Sequence, residues 1–185
     1  MIRGLTCRIS SQIARQRLVC GVRYQSSTAE LIDAEANLKK VLTRMGLSEL
    51  PPAGKPGGLY RPTLRDGQLL YVSGQPPLDP EGNRILGICS SADDIPLAKD
   101  AAACNALAVL AAIRVEVKDL NKIERIVKSL GMVNCTLDFK NPPQVIDGYS
   151  EVMRDVFGPD NGVGVRSAIG AVLPGNIYIY IYMMC

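Results

Sequence analysis

The sequence predicts a two-layer α+β domain, with two helices packed against one mixed sheet. Three observations lead there. Two short apolar runs flank Arg65-Asp66-Gly67-Gln68, and an Asp-Gly pair between such runs signals a β-hairpin. Two helical patterns, one rich in alanine and one opening on proline, are separated by a β-branched run. The chain then closes on a glycine-bounded apolar run and a strict Ile-Tyr alternation, and both read as strand.

The elements follow in order. Residues 1–25 hold Arg3, Arg8, Arg15, Arg17 and Arg23 and no acid, with serines and scattered apolar residues between them. Those are the marks of an organelle transit peptide, mitochondrial by preference and plastid as the alternative, with the cut near Tyr24 or Gln25. Residues 28–45 repeat apolar positions at helical spacing, with Thr28 or Ser27 as cap and Gly46 as stop. Residues 50–58 are too rich in proline and glycine for helix or central strand, so residues 26–57 form a leading helix plus connector. The main domain occupies 58–185. Its hairpin strands are expected at 59–64 and 69–73, with a short third strand at 84–88. Asp93, Asp94 and Pro96 suit a helix start, and 98–115 forms that helix. Residues 123–135 are expected as strand. A second helix runs from Pro142 or Pro143 to the stop at Gly158-Pro159. Residues 165–173 and 177–183 are expected to pair with each other.

Composition removes several classes of function. Without its first 25 residues the chain has 16 basic residues against 18 acidic ones, and it has only two phenylalanines, so it offers no cationic or stacking surface for RNA. Six cysteines make no Cys-x-x-Cys pair, and with no histidine there is neither a zinc-ligand pattern nor a Ser-His or Cys-His nucleophile. Gly162-Val-Gly164 is not a dinucleotide loop, because Ser167 stands at the third glycine and a strand follows.

The candidate functional residue is Arg166, a permanent cation at the start of the apolar run 162–174. Such a charge needs an anion. That anion is either a carboxylate of the same protein or a ligand carboxylate, for which the guanidinium fork is suited.

Several segments together resemble one family. Leu70-Tyr-Val-Ser-Gly-Gln-Pro-Pro77, residues 101–112, Asp119-Leu-Asn-Lys-Ile123, residues 126–139 and 145–158, and Val165-Arg-Ser-Ala-Ile-Gly170 resemble, in register, the RidA/YjgF reactive-intermediate deaminase family, also called endoribonuclease L-PSP. The leading helix and Gly58-Leu-Tyr-Arg-Pro62 resemble its longer subgroup. The resemblance implies a chorismate-mutase-like fold and a homotrimer with ligand sites between subunits. It also implies hydrolysis of 2-imino or enamino acids, such as 2-iminobutanoate, to 2-keto acids and ammonia, with no metal and no cofactor. By the same resemblance Arg166 grips the ligand carboxylate, Tyr60, Ser73 and Gly74 line the site, and Ala168 offers its backbone. The partners implied are therefore a small carboxylate and further copies of the chain, with neither nucleic acid nor membrane.

Two positions depart from the family pattern. Asp147 stands where asparagine is usual, and an acid there either repels a bound carboxylate or pairs with Arg166; a solvated helix surface is the plainer reading. Tyr178 or Tyr180 stands where the water-holding glutamate is expected. A tyrosine orients a water but is a weak base at neutral pH. The resulting alternatives are a trimer that binds carboxylates or proteins without catalysis and, more remotely, a ribonuclease or translation inhibitor. The repeat Ile177-Tyr-Ile-Tyr-Ile-Tyr182 is also what an uninterrupted thymine-adenine repeat encodes, so a spliced transcript is expected to show whether the message carries it. If it does, residues 177–183 are expected to form an apolar edge strand.

Overall fold

The structure, a computed structural model, describes residues 32–185. The expected transit segment and the first part of the leading helix lie outside the described residues. Eight principal elements follow: α1 (Ala34–Arg44), β1 (Thr63–Asp66), β2 (Leu69–Gln75), α2 (Ile95–Val117), β3 (Lys128–Asn134), α3 (Pro142–Asn161), β4 (Val165–Ala171) and β5 (Ile179–Met184). The expected two-layer α+β architecture is present, with a five-stranded mixed sheet in the order β1-β2-β5-β3-β4. It matches the chorismate-mutase-like fold that the resemblance implied.

Local chemistry sets the helix ends. Among the described residues α1 begins at Ala34, because Asp33 is extended and its carboxylate accepts the backbone N–H of Ala36 at 3.0 Å. Its apolar stripe of Ala34, Leu38, Val41 and Leu42 is buried. Upstream of α2, Ser91 and Asp94 form a capping box, and Pro96 sits in the first helical turn. Small residues then let α2 and α3 approach closely. A Cβ at Gly148 of α3 would lie 2.1 Å from the carbonyl oxygen of Lys99 on α2, so only glycine fits. α3 kinks at Gly158, whose φ is 81°, before Pro159.

The hairpin turns at Asp66–Leu69 as expected, with Gly67 at φ 60°. The third strand expected at 84–88 is reduced to two isolated bridges, Leu78↔Arg84 and Leu86↔Ile177. The two C-terminal strands do not pair with each other. β4 runs parallel to β3, and β5 inserts between β2 and β3, antiparallel to both. The reason is topological. α3 joins β3 to β4 as a β-α-β unit, which makes those two strands parallel neighbours. That leaves β5 the slot beside β3, where its backbone groups pair on both sides and Ile179, Ile181 and Met183 sink to 4% exposure or less. The Ile-Tyr segment is therefore a central strand and not an edge. β4, expected to be buried, is the edge: Val165 and Ile169 are 67% and 46% exposed.

The two faces of the sheet differ. Towards the helices point Leu70, Val72, Ile181 and Val133; on the other face Tyr71, Leu130, Met132, Tyr182, Met184 and Ile169 have no covering layer within the described chain.

Candidate ligand site

The candidate residues fall into two groups on opposite sides of the sheet order. The first surrounds a cavity of about 400 Å³. One wall is the connector at 52–57 with Tyr60, the other the loop at 76–84, and Gly74, Gln75 and Tyr180 lie between them. Each part has a local cause. Tyr60 is half exposed, and its hydroxyl accepts the N–H of Gly57 at 3.1 Å, which folds the Pro-Gly connector back over the sheet. β2 and β5 shift register between Val72 and Gln75, and there Gly74 brings its backbone against the ring of Tyr182, where an added Cβ would lie 2.8 Å from Cζ. The carbonyl of Gln75 accepts a hydrogen bond from Asn105 Nδ2 of α2 at 2.5 Å, anchoring that wall to the core. Ser73 lines the adjoining apolar groove with Tyr71 and Tyr182; its backbone N–H binds the carbonyl of Pro62 at 2.9 Å.

Of the two tyrosines considered for the water-holding position, Tyr180 reaches the cavity. Tyr178, one residue ahead of β5, is a core residue whose ring lies where a Cβ on Gly87 would stand, 2.0 Å from Cζ. Burial raises the Tyr180 hydroxyl above the ordinary tyrosine value, with Arg84 opposing and Tyr60 and Tyr182 adding to the rise. At neutral pH it is therefore a protonated hydroxyl, able to donate one hydrogen bond and accept another, and not a base.

The second group belongs to β4 and α3. Arg166 lies on the helix face of β4, and its guanidinium is already engaged. It donates to Asp147 Oδ1 at 2.9 Å, to Ser150 Oγ at 2.8 Å and to the carbonyl of Pro143 at 3.2 Å. The three acceptors stand at intervals of four and three residues on one face of α3. The pair is accessible, with Arg166 24% and Asp147 48% exposed at the side chain. Ala168, two residues along β4, is half-buried on the same face and paired with Gly131.

Within one chain the two groups do not meet. Gly74 on β2 lies three strand spacings from β4, roughly 14 Å, and Tyr180 on β5 lies two, roughly 10 Å, on the open face of the sheet, whereas Arg166 is on the helix face. Sequence reasoning missed Arg84, Lys55 and Gln75 in the cavity lining: Lys55 lies in the proline- and glycine-rich connector, Arg84 in a loop where a short strand was expected, and Gln75 at the end of β2, where the motif gave it no role. It also missed Ser150 and Pro143, although their spacing from Asp147 on a predicted helix was available as a signal. Among the described residues no group of three Cys, Asp or Glu side chains could hold a metal ion.

Comparison with known proteins agrees with this architecture. No family model matches the chain. Protein TCP17 of Trypanosoma cruzi is 32% identical over 134 residues, which cover 72% of this chain and 83% of that protein. Atu1372 of Agrobacterium tumefaciens, a protein of unknown function, superposes with a TM-score of 0.70 at 30% identity, over 82% of this chain and 94% of that one. A Shewanella oneidensis MR-1 protein provisionally described as an endoribonuclease gives 0.73 at 25% identity, over 82% and 97%. RidA of an Antarctic Psychrobacter species shares the fold, with a TM-score of 0.50 at 22% identity over 71% and 91%. By its motifs, its sheet order and these relatives, the chain belongs to the RidA/YjgF (endoribonuclease L-PSP) family.

Proposed function

We propose that the protein hydrolyses 2-imino and enamino acids to 2-keto acids and ammonia, as a homotrimer in the mitochondrial matrix. The observation that carries the reading is the division of the site: Tyr60, Gly74 and Tyr180 surround a cavity at one side of the sheet, while Arg166 waits at the opposite edge. A second copy, packed against the first, would bring the halves together. The apolar open face, with Tyr71, Leu130, Tyr182 and Ile169, is the surface on which copies would pack.

In such a site Arg166 exchanges Asp147 for the substrate carboxylate. The neighbouring copy's cavity holds the imine carbon near Tyr180, whose hydroxyl oxygen accepts a hydrogen bond from water and aims the water's lone pair at C2. The water oxygen bonds to C2 of the protonated imine and one water proton passes to nitrogen; the C–N bond of that carbinolamine then breaks as the hydroxyl's remaining proton leaves with the departing nitrogen, giving the 2-keto acid and ammonia as ammonium. No strong base is required, because a protonated imine is already electrophilic.

A second reading is carboxylate binding without turnover. It draws on the Arg166–Asp147 pair and on the lack of any carboxylate in the cavity lining. One assay separates the two. Purified protein added to an amino-acid oxidase reaction should speed keto-acid release, and Arg166→Ala should abolish the gain. Binding of 2-oxobutanoate in calorimetry without acceleration would favour the second reading, and equal acceleration by Arg166→Ala would refute the first.

A further inference from the structure

The cavity beside Tyr180 is more cationic than a site for a monocarboxylate requires. Its lining includes Arg84 and Lys55 and no acidic residue. Among the described residues neither cation has an ion-pair or side-chain hydrogen-bond partner, whereas Arg44, Lys99, Arg114, Arg154 and Arg166 are all paired. The nearest acid on the same loop is spoken for: Asp79 accepts the backbone N–H of Asn83 at 2.7 Å and its Nδ2 at 3.0 Å. Those bonds hold its carboxyl below the ordinary value, with the Asn83 side chain contributing most.

The segment carrying Arg84 is also braced. Asp79 N–H binds the carbonyl of Asn83 at 2.9 Å, Ile85 N–H binds that of Pro77 at 3.0 Å, and residues 78 and 84 form a bridge. Gly82, at φ 87°, turns the loop so tightly against the connector that a Cβ there would come within 3.0 Å of Pro52 Cγ. Arg84 is thus delivered by a fixed turn, and Lys55 by the wall opposite. Its proximity to Tyr180 is felt electrostatically, since it lowers the tyrosine's proton affinity against the effect of burial.

We propose that this cavity recognises a second carboxylate at the far end of the ligand, held by Arg84 with Lys55, so that the protein prefers dicarboxylic 2-imino and 2-keto acids of four or five carbons. The inference rests on the reading that the cavity and a neighbour's Arg166 form one site, and it adds a substrate class to it. Arg166 takes the carboxylate next to the reacting carbon, Arg84 takes the distal one, and Tyr180 stands beside the carbon between them. Glycines 54, 57 and 74 leave room for the intervening chain.

The test is calorimetric titration of the full-length protein with 2-oxoglutarate and with 2-oxobutanoate, repeated on Arg84→Gln and Arg84→Lys. A charge-assisted bond at a partly exposed site corresponds to about a tenfold preference for the dicarboxylate. The expected result is that preference in the unaltered protein, its collapse to within about threefold in Arg84→Gln, and partial retention in Arg84→Lys. Because Arg84 is exposed and makes no side-chain bond, the variants should keep the parent's melting temperature, which the same samples report. Binding of 2-oxobutanoate with no preference for 2-oxoglutarate, or the same preference in Arg84→Gln, overturns this inference and leaves the site reading standing. Failure of both keto acids to bind the unaltered protein overturns both. A preference that inorganic phosphate at equal concentration abolishes together with 2-oxobutanoate binding also overturns it, because the cations would then be reading charge without position.

Discussion

Asp147→Asn should strengthen the binding of small carboxylates while leaving the fold nearly as stable as before. In the free protein Asp147 occupies one arm of the Arg166 fork at 2.9 Å, so a ligand carboxylate must first displace it. Both side chains are partly exposed, and pairs of that kind contribute about 0.2–1 kcal/mol. Removing the competing charge should therefore raise affinity roughly 1.5- to 5-fold. Stability should fall by no more than about 1 kcal/mol, because the asparagine oxygen can still accept and Ser150 and Pro143 keep the guanidinium in place. The assay is calorimetric titration with 2-oxobutanoate, alongside thermal unfolding of the same preparations. A weaker ligand affinity, or a loss of stability beyond about 2 kcal/mol, would show that the pair is structural and refute the competition argument.

Other outcomes follow from particular contacts. Gly148→Ala puts a methyl 2.1 Å from the Lys99 carbonyl oxygen, which the α2 backbone cannot easily avoid. It should cost about 2–3 kcal/mol and lower the melting temperature by roughly 5–10 °C; a melting point within 2 °C of the parent would contradict the close packing of α2 on α3. Tyr180→Glu restores a base in the cavity and should speed imine hydrolysis at least about tenfold, since such assistance is typically on the order of 10²- to 10⁴-fold. Unchanged or slower turnover would mean that Tyr180 does not face the reacting carbon. Burial pushes the thiols of Cys89 and Cys185 up to about 11. Their unfolded counterparts ionise first, so the stability they confer is complete below about pH 9 and is lost as pH rises towards 11. Thermal unfolding from pH 7.5 to 10.5 should decline less steeply in a Cys89→Ala, Cys185→Ala double variant than in the parent; equal slopes would refute the assignment.

What the sequence made legible was local. The Asp66-Gly67 turn, the alanine spacing of α2 and the prolines and glycines that bound α3 all act within a few residues, and each element appears where those signals stand. Strand order was not legible. Whether β5 pairs with β4 or enters between β2 and β3 is decided by the α3 crossover and by burial of Ile179 and Ile181, and neither is a property of the strand's own residues. The same division holds at the site. Motif positions brought Tyr60, Gly74 and Tyr180 to one cavity, and Asp147 was identified as a partner that could occupy Arg166. Arg84 and Lys55 sit in aperiodic loops, and their convergence follows from the bracing of residues 77–85 against the proline-rich connector.

The claim at the centre is that one site draws Arg166 from one copy and the Tyr60–Tyr180 cavity from another. Subunit mixing tests it most directly. Arg166→Gln and a Tyr60→Ala, Tyr180→Ala double variant, each inactive alone, are unfolded together, refolded together and assayed for keto-acid release. The account predicts that the mixture recovers activity, because some interfaces then join an intact arginine to an intact cavity. A mixture no more active than the two separate variants, in oligomers shown to contain both chains, would contradict it.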